Sequence, residues 1–276
     1  MILIADSGST KTDWCTEDAH IIHTSGINPV HQSENTIQQI IEKELLTQLP
    51  KEVPCEAIHF YGAGCTPEKS LIIKQVLSQY FPKATIEVNS DLLGAARALC
   101  GSDTGIACIL GTGSNSCYYD GNRIVANVSP LGYILGDEGS GAVLGKRLIS
   151  DCLKNQLPHD ICQTFLTTCH LTPADIIERV YRQPQANRFL ASLTPFLSEH
   201  RNIPEIQQLL ISSFTEFFRR NVMQYAYEDT EVHFTGSIAW YFQEEVKVAA
   251  KGLGIKTGVF IKNPIEKLLE FHLPKY

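Results

Sequence analysis

No apolar run in the chain approaches the ~18 residues that a membrane-spanning helix requires. Basic residues are not in excess either. The formal net charge is −7 over 276 residues, which argues against non-specific binding to nucleic acid or to an anionic membrane surface. It leaves room for a phosphate at one local site, because backbone N–H groups bind anions without net positive charge. The nine cysteines, at 15, 55, 65, 100, 108, 117, 152, 162 and 169, are scattered and odd in number, and none forms CxxC. Neither a disulfide framework nor a zinc site is therefore indicated. Met1 leads straight into "ILIAD" with no basic n-region and no cleavage site, so no secretory signal is read and a cytoplasmic protein with reduced thiols is expected. HExxH and GxSxG are missing, which leaves metalloprotease and serine-hydrolase readings without support.

What is present is a soluble composition, 43% hydrophobic and 19% charged, long enough for one large core or two ordinary ones. Short strand-like runs at 1–6, 12–18 and 19–26 are followed by a helical pattern over 33–49, with Ser33 as cap and Ile37, Ile40, Ile41 and Leu45 on one face. A strand at 55–64 runs into Gly62 and Gly64. A helix with proline in its first turn covers 66–81, then a strand at 84–91 and a helix closed by Gly101. From "TGIACILGTGSNS" the pattern restarts. A hairpin turning at Gly121-Asn122 follows, then a loop and helix over 136–154, a mostly helical stretch over 157–227, and strand, turn and helix over 231–254. A strand at 256–262 and a short helix at 264–273 close the chain. This is a duplicated α/β unit rather than a short-period repeat, with its boundary near Gly101–Gly105. The expected domains are 1–103 and 104–262, and the C-terminal helix within 263–276 is a candidate to rejoin the first.

Each half opens on the same small polar turn after an apolar strand: "IADSGSTK" at Ile4–Lys11 and "ILGTGSNS" at Ile109–Ser116. Small residues at that position let successive N–H groups approach an anion closely. The pair is expected to face each other across a cleft and grip a nucleotide's phosphates. Ser9, Thr10 and Thr112 add hydroxyl donors, and Lys11 adds a mobile positive charge. Asp6 repels phosphate directly but suits Mg²⁺ held through water between itself and the phosphates. "VHFTGSIAW" sets Thr235-Gly236-Ser237 between a strand and a helix, where a ring or ribose could lie over the glycine. Asp91 stands past a strand end at a helix start, and Asp137 and Glu138 lie in a glycine-flanked loop. An isolated aspartate there is ordinarily only a cap. Phosphoryl transfer to an alcohol, however, needs a carboxylate near the hydroxyl to take its proton, and Asp91 is the candidate base. "GAVLGKR" at 141–147 fails as a Walker A loop by one residue of spacing and by Arg in place of Ser/Thr. "GSGAVLG" at 139–145 fails as a dinucleotide fingerprint for want of a strand directly before it.

Taken together, the chain resembles the BadF/BadG-type ATPase and N-acetylglucosamine kinase family within the actin/Hsp70/sugar-kinase superfamily. The resemblance rests on "DSGSTKTDW" (6–14), "GINP" (26–29), "GAG" (62–64), "NSDLLGAA" (89–96), "GTGSN" (111–115), "GDEGS" (136–140) and "TGS" (235–237), in the family's order. It implies two RNase H-like (actin-like ATPase) domains around a nucleotide cleft, with ATP and Mg²⁺ as cofactors and a small sugar as partner. Thr10, Thr112 and Gly113 would then meet ATP phosphates, and Gly236 and Ser237 would line the adenosine. Asn28, Ser114, Asn115 and Asp137 would hold the sugar, and Asp91 would act as general base. Family members often dimerise, so a homodimer is expected as well. Ser7 and Ser9 depart from the glycines of many relatives, which requires negative φ there. "SPLGYIL" at 129–135 replaces the Gly-Gly-Trp-Gly segment of the animal kinases. The acceptor therefore stays open among N-acetylglucosamine, glucosamine and N-acetylmuramic acid. Two other functions fit the same residues. One is an ATPase that activates a partner, for which Cys162 and Cys169 would be the nearest cluster-bridging pair. The other is a nucleotide-binding sensor without catalysis.

Overall fold

The computed structural model describes residues 1–8, 10–50 and 54–273. They divide into two compact units. Unit 1 comprises Met1–Asp103, Asp120–Ile124 and Asn263–Tyr276, and unit 2 comprises Thr104–Tyr119 and Val125–Lys262.

Unit 1 is built on strands β1 (Ile2–Ser7), β2 (Lys11–Thr16), β3 (Ile21–Ser25), β4 (Ala57–Gly62) and β5 (Thr85–Ser90), in the spatial order β3-β2-β1-β4-β5. The first three are joined antiparallel by short turns, and β1-β4 and β4-β5 are parallel. The parallel strands need helical crossovers. The first is α1 (Glu34–Ile40), capped by the Ser33 hydroxyl and continuing as a π-helical turn over Ile41–Leu45. The predicted single helix over 33–49 is thus widened in its second half. The second crossover is α2 (Pro67–Tyr80), capped by Thr66. Next comes α3 (Asp91–Cys100), capped by Ser90 and closed by Gly101 at φ 61°. Trp14, Ile58, Phe60, Ile73 and Val76 lie in its core, all at 1% exposure or less.

The second sheet repeats the plan with β6 (Gly105–Leu110), β7 (Ser114–Tyr119), β8 (Ile124–Ala126, whose first residue groups with unit 1), β9 (Val232–Thr235) and β10 (Thr257–Ile261), in the order β8-β7-β6-β9-β10. β6-β7 is antiparallel, while β6-β9 and β9-β10 are parallel. Counted within each unit the order is the same, 3-2-1-4-5, which is the duplication seen in the sequence. The first crossover carries the helices: α4 (Gly132–Leu135), α5 (Gly141–Leu153), α6 (His159–Thr168), α7 (Pro173–Tyr181), α8 (Ala186–Ala191), α9 (Thr194–Glu199) and α10 (Pro204–Arg220). The second carries α11 (Ser237–Tyr241) and α12 (Gln243–Gly252). The sequence pattern predicts one helix there and none at 132–135. At the break between α11 and α12, Phe242 turns its side chain into the core, 1% exposed, beside Phe214. α13 (Ile265–His272) packs on α3, β2 and β1 of unit 1.

Candidate active site

The first turn joins β1 to β2. Gly8 N–H donates to the Lys11 carbonyl at 3.0 Å, and Gly26 N–H donates to the Thr10 carbonyl at 3.0 Å. Thr10 itself is exposed. Ser9 lies outside the described residues. Ser7 does not take the left-handed conformation, so serine is tolerated where glycine is common. Its hydroxyl is fully buried, donating to the Ile27 carbonyl at 2.9 Å, accepting from Ile27 N–H at 3.0 Å, and sharing a 2.7 Å bond with Thr12. The turn and the "GINP" loop are thereby fastened together.

That fastening positions Asn28, which is 7% exposed. Its Oδ1 accepts Val30 N–H at 3.0 Å, which leaves the amide NH₂ as the group able to donate to a ligand. Gly64 sits against it. A Cβ there would fall 2.3 Å from Asn28 Oδ1, and Gly64 has φ 75°. Any side chain at 64 would displace the amide, so this glycine is needed on both counts.

Asp6, at the end of β1, lies opposite Asp13 in the antiparallel register. Asp13 pairs with Lys11 Nζ at 2.7 Å and is hydrogen-bonded to His23 Nδ1 at 2.7 Å. The Lys11 ammonium, predicted to be a mobile charge for phosphate, is thus held on its own strand. Asp6 has no such partner. Burial first, then the charges of Asp91 and Asp13, push its carboxyl up to about 7, with Lys11 pulling the other way. A half-buried carboxyl held at that value beside a second carboxyl is an environment that a divalent cation relieves. Asp6 therefore fits the Mg²⁺ role.

Asp91 opens α3. Its Oδ1 accepts Leu92 N–H at 2.9 Å, and its other oxygen has no partner among the described residues. Burial raises its pKa above the ordinary 3.8, and the helix N–H groups offset part of that. Raising a carboxyl toward neutrality while leaving one oxygen open is what a general base requires.

In unit 2 the second turn joins β6 to β7. The Gly111 and Thr112 carbonyls accept the N–H groups of Gly141 and Ala142 at the start of α5, at 2.8 and 3.1 Å. The N–H groups of Thr112 and Gly113 have no partner among the described residues, which leaves two adjacent donors for an anion. Asp137 closes on this turn. Its Oδ1 accepts Ser114 N–H at 3.3 Å, and a Cβ on Gly113 would lie 3.1 Å from its Oδ2. Asp137 sits at φ 53° in the left-handed region, and burial is the main cause raising its pKa. Asn115 Oδ1 accepts its neighbour Ser116 N–H at 2.9 Å and the Asn127 amide at 3.0 Å. Asn127, which also donates to the Ser116 and Val128 carbonyls, was not among the sequence candidates, and no local motif marks it. Gly236, at φ 109°, lies against β6, where a Cβ would fall 2.4 Å from the Leu110 carbonyl oxygen. Ser237 is exposed at the start of α11.

The predicted residues divide between the units: Asp6, Thr10, Lys11, Asn28 and Asp91 lie in unit 1, and Thr112, Gly113, Ser114, Asn115, Asp137, Gly236 and Ser237 in unit 2. Cys162 does not face Cys169. Its thiol points to the Cys152 and Leu157 carbonyls inside the unit 2 core. Among the described residues no group of three or more His, Cys, Asp or Glu could hold a metal on its own, and no helix is long and apolar enough to cross a membrane.

No family model matches the chain. It is 50% identical to the solved "Putative N-acetylglucosamine Kinase" from Porphyromonas gingivalis, with a TM-score of 0.96 over 99% of this chain and 98% of that one. It is 30% identical, over 62% of its length, to the N-acetylmuramic acid/N-acetylglucosamine kinase of Clostridium acetobutylicum, and that match spans 58% of the curated relative. A structure of the same description from Chromobacterium violaceum superposes with a TM-score of 0.68 over 98% of both chains, and its 19% identity shows a common fold. Both units accordingly have the RNase H-like architecture of actin-like ATPases and sugar kinases.

Proposed function

The chain belongs to the N-acetylglucosamine kinase family, and from that premise we propose that it transfers the γ-phosphoryl group of ATP to a hydroxyl of an amino sugar, N-acetylglucosamine at O6 first among them. The observation that carries this reading is Asp91. It is a carboxyl at the opening of α3, raised by burial and open at one oxygen, and its charge adds to what raises Asp6.

The roles follow from the chemistry of the groups. The backbone of the β1–β2 turn with Thr10, and the free N–H groups of Thr112 and Gly113, bind phosphate oxygens. Asp6 would hold Mg²⁺, which when bound would supply positive charge against the phosphates. Gly236 leaves room for the nucleoside and Ser237 bonds to it. Asn28, Asn115 and Asp137 bond to sugar hydroxyls in fixed directions, the asparagines through amides whose orientation is set by bonds to the backbone or to Asn127. Asp91 accepts the proton of the attacking hydroxyl. Nearly all the rate enhancement then comes from positioning and charge neutralisation.

The test is a panel of hexosamines with Mg·ATP, following ADP release and locating the phosphate by NMR. The proposal expects sugar-stimulated ADP release and a 6-phosphate product. Release that no amino sugar stimulates would overturn it.

A further inference from the structure

Unit 1 carries a cavity of about 920 Å³ alongside the outer edge of β5, between the first two turns of α2 and the flank of α3. It is separate from the groups given roles above. Gly64 and Ser90 reach its wall, but neither Asn28 nor Asp91 lines it. Its volume lies in the range that takes a small organic molecule.

Two cations on its wall lack counter-ions. Lys74 projects from α2 and is exposed, and among the described residues no carboxylate lies within ion-pair distance of its ammonium. Arg97 projects from α3. Its Nη1 donates to the Tyr61 hydroxyl at 2.6 Å, and its guanidinium lies 5.2 Å from the Phe271 ring centre. Its Nε is buried without a hydrogen-bond partner, and no carboxylate pairs with the group among the described residues.

The wall stays positive on balance. Glu87 is the one carboxylate among its lining residues, bonded to His59 at 3.1 Å, against Lys74, Arg97 and Arg123, the last shared with Asp120 at 3.6 Å. Ser70 and Asn89 add hydrogen-bonding groups, and Leu71, 65% exposed, adds an apolar surface on which a ring could lie.

We propose that this cavity binds the phosphate monoester of a sugar-sized molecule. The dianionic phosphate is taken between Lys74 and Arg97, and the body lies toward Leu71 and Asn89. A dianion matches two uncompensated cations where a carboxylate would match one, and the arginine fork with the lysine point charge suits a phosphate's several oxygens. The volume exceeds what inorganic phosphate alone would fill. The site does not depend on the kinase reading.

The experiment is calorimetric titration of the full chain with N-acetylglucosamine 6-phosphate, inorganic phosphate, adenosine 5′-monophosphate and unphosphorylated N-acetylglucosamine. Wild type, Lys74→Ala and Arg97→Gln are compared, with Asp91→Asn as reference. The expected result is saturable binding of the sugar phosphate, tighter than that of phosphate or the nucleotide. Lys74→Ala should weaken it about tenfold and added salt should weaken it further. Asp91→Asn and saturating N-acetylglucosamine should leave it unchanged. Lys74 is an exposed residue on α2, so its variant separates loss of binding from loss of folding. No sugar-phosphate binding at millimolar concentration, or binding indifferent to Lys74→Ala, would overturn the proposal. Binding that N-acetylglucosamine displaces and Asp91→Asn abolishes would overturn it too, by locating the ligand at the acceptor subsite. Tighter binding of phosphate or of the nucleotide, in a mode that Lys74→Ala weakens, would overturn the assignment to a sugar-sized body.

Discussion

Replacing Asp6 with asparagine should stabilise the metal-free, nucleotide-free protein at pH 8, by an amount that closes toward pH 4. The unfolded carboxyl releases its proton near 3.8, whereas the folded one holds it to about 7. Between those values the folded state binds more protons than the unfolded state, so folding stability is complete below about 4 and is lost as pH rises through 7. A shift of three pK units corresponds to a ceiling of about 4 kcal/mol. Asp6 is only half-buried, and water reaching it lowers the figure to about 2–3 kcal/mol. Asparagine keeps the shape of the protonated acid and carries no charge. With ~2–4 °C per kcal/mol for a chain of this size, Asp6→Asn should melt roughly 5–10 °C above wild type at pH 8. The assay is thermal unfolding in EDTA between pH 4.5 and 8.5, repeated with Mg·ATP, which should raise the wild type more than the variant. Equal melting temperatures at pH 8, or a gap that does not change with pH, would refute the reasoning.

Four further outcomes are expected. The rate of sugar phosphorylation should fall as pH drops, with its acid limb above the ordinary aspartate value of 3.8, because Asp91 is raised by burial and must be unprotonated to act; a limb at or below 3.8 in a pH–rate profile would contradict this. Ser7→Ala should cost about 2–3 kcal/mol in urea unfolding, since it strands the Ile27 N–H and carbonyl in a dry interior; an unchanged midpoint would count against it. Gly236→Ala should lower nucleotide affinity and stability together, because φ 109° and the Leu110 carbonyl at 2.4 Å admit no Cβ. Asn127→Ala frees the Asn115 amide and should raise the sugar KM about tenfold with the ATP KM unchanged, which initial-rate kinetics would check.

The strands, the two polar turns and the helix-opening position of Asp91 were legible because they are local. An apolar run ending in small residues, followed by a cap and a 3.6-residue pattern, encodes all three. Groups joined only by the fold were not. Arg97, Tyr61 and His272 form a hydrogen-bonded chain across 211 positions, and burial with the charges of His59 and Arg97 pushes His272 down to about 3. No sequence window contains that chain. Lys11 shares a face of β2 with Asp13 two residues on, as strand alternation requires, and pairs with it. Ser7 departs from the glycine of many relatives, and its three hydrogen bonds appear only once the Ile27 loop is folded over it. The π-helical turn at Ile41–Leu45 has no distinct sequence pattern.

The central claim is that Asp91 takes the acceptor's proton while other groups bind the nucleotide. The most direct measurement compares wild type with Asp91→Asn, determining ATP affinity by calorimetry and turnover with the best amino sugar by steady-state kinetics. The account predicts unchanged ATP affinity with turnover lowered about 10²–10⁴-fold. Near-normal turnover in the variant would contradict it.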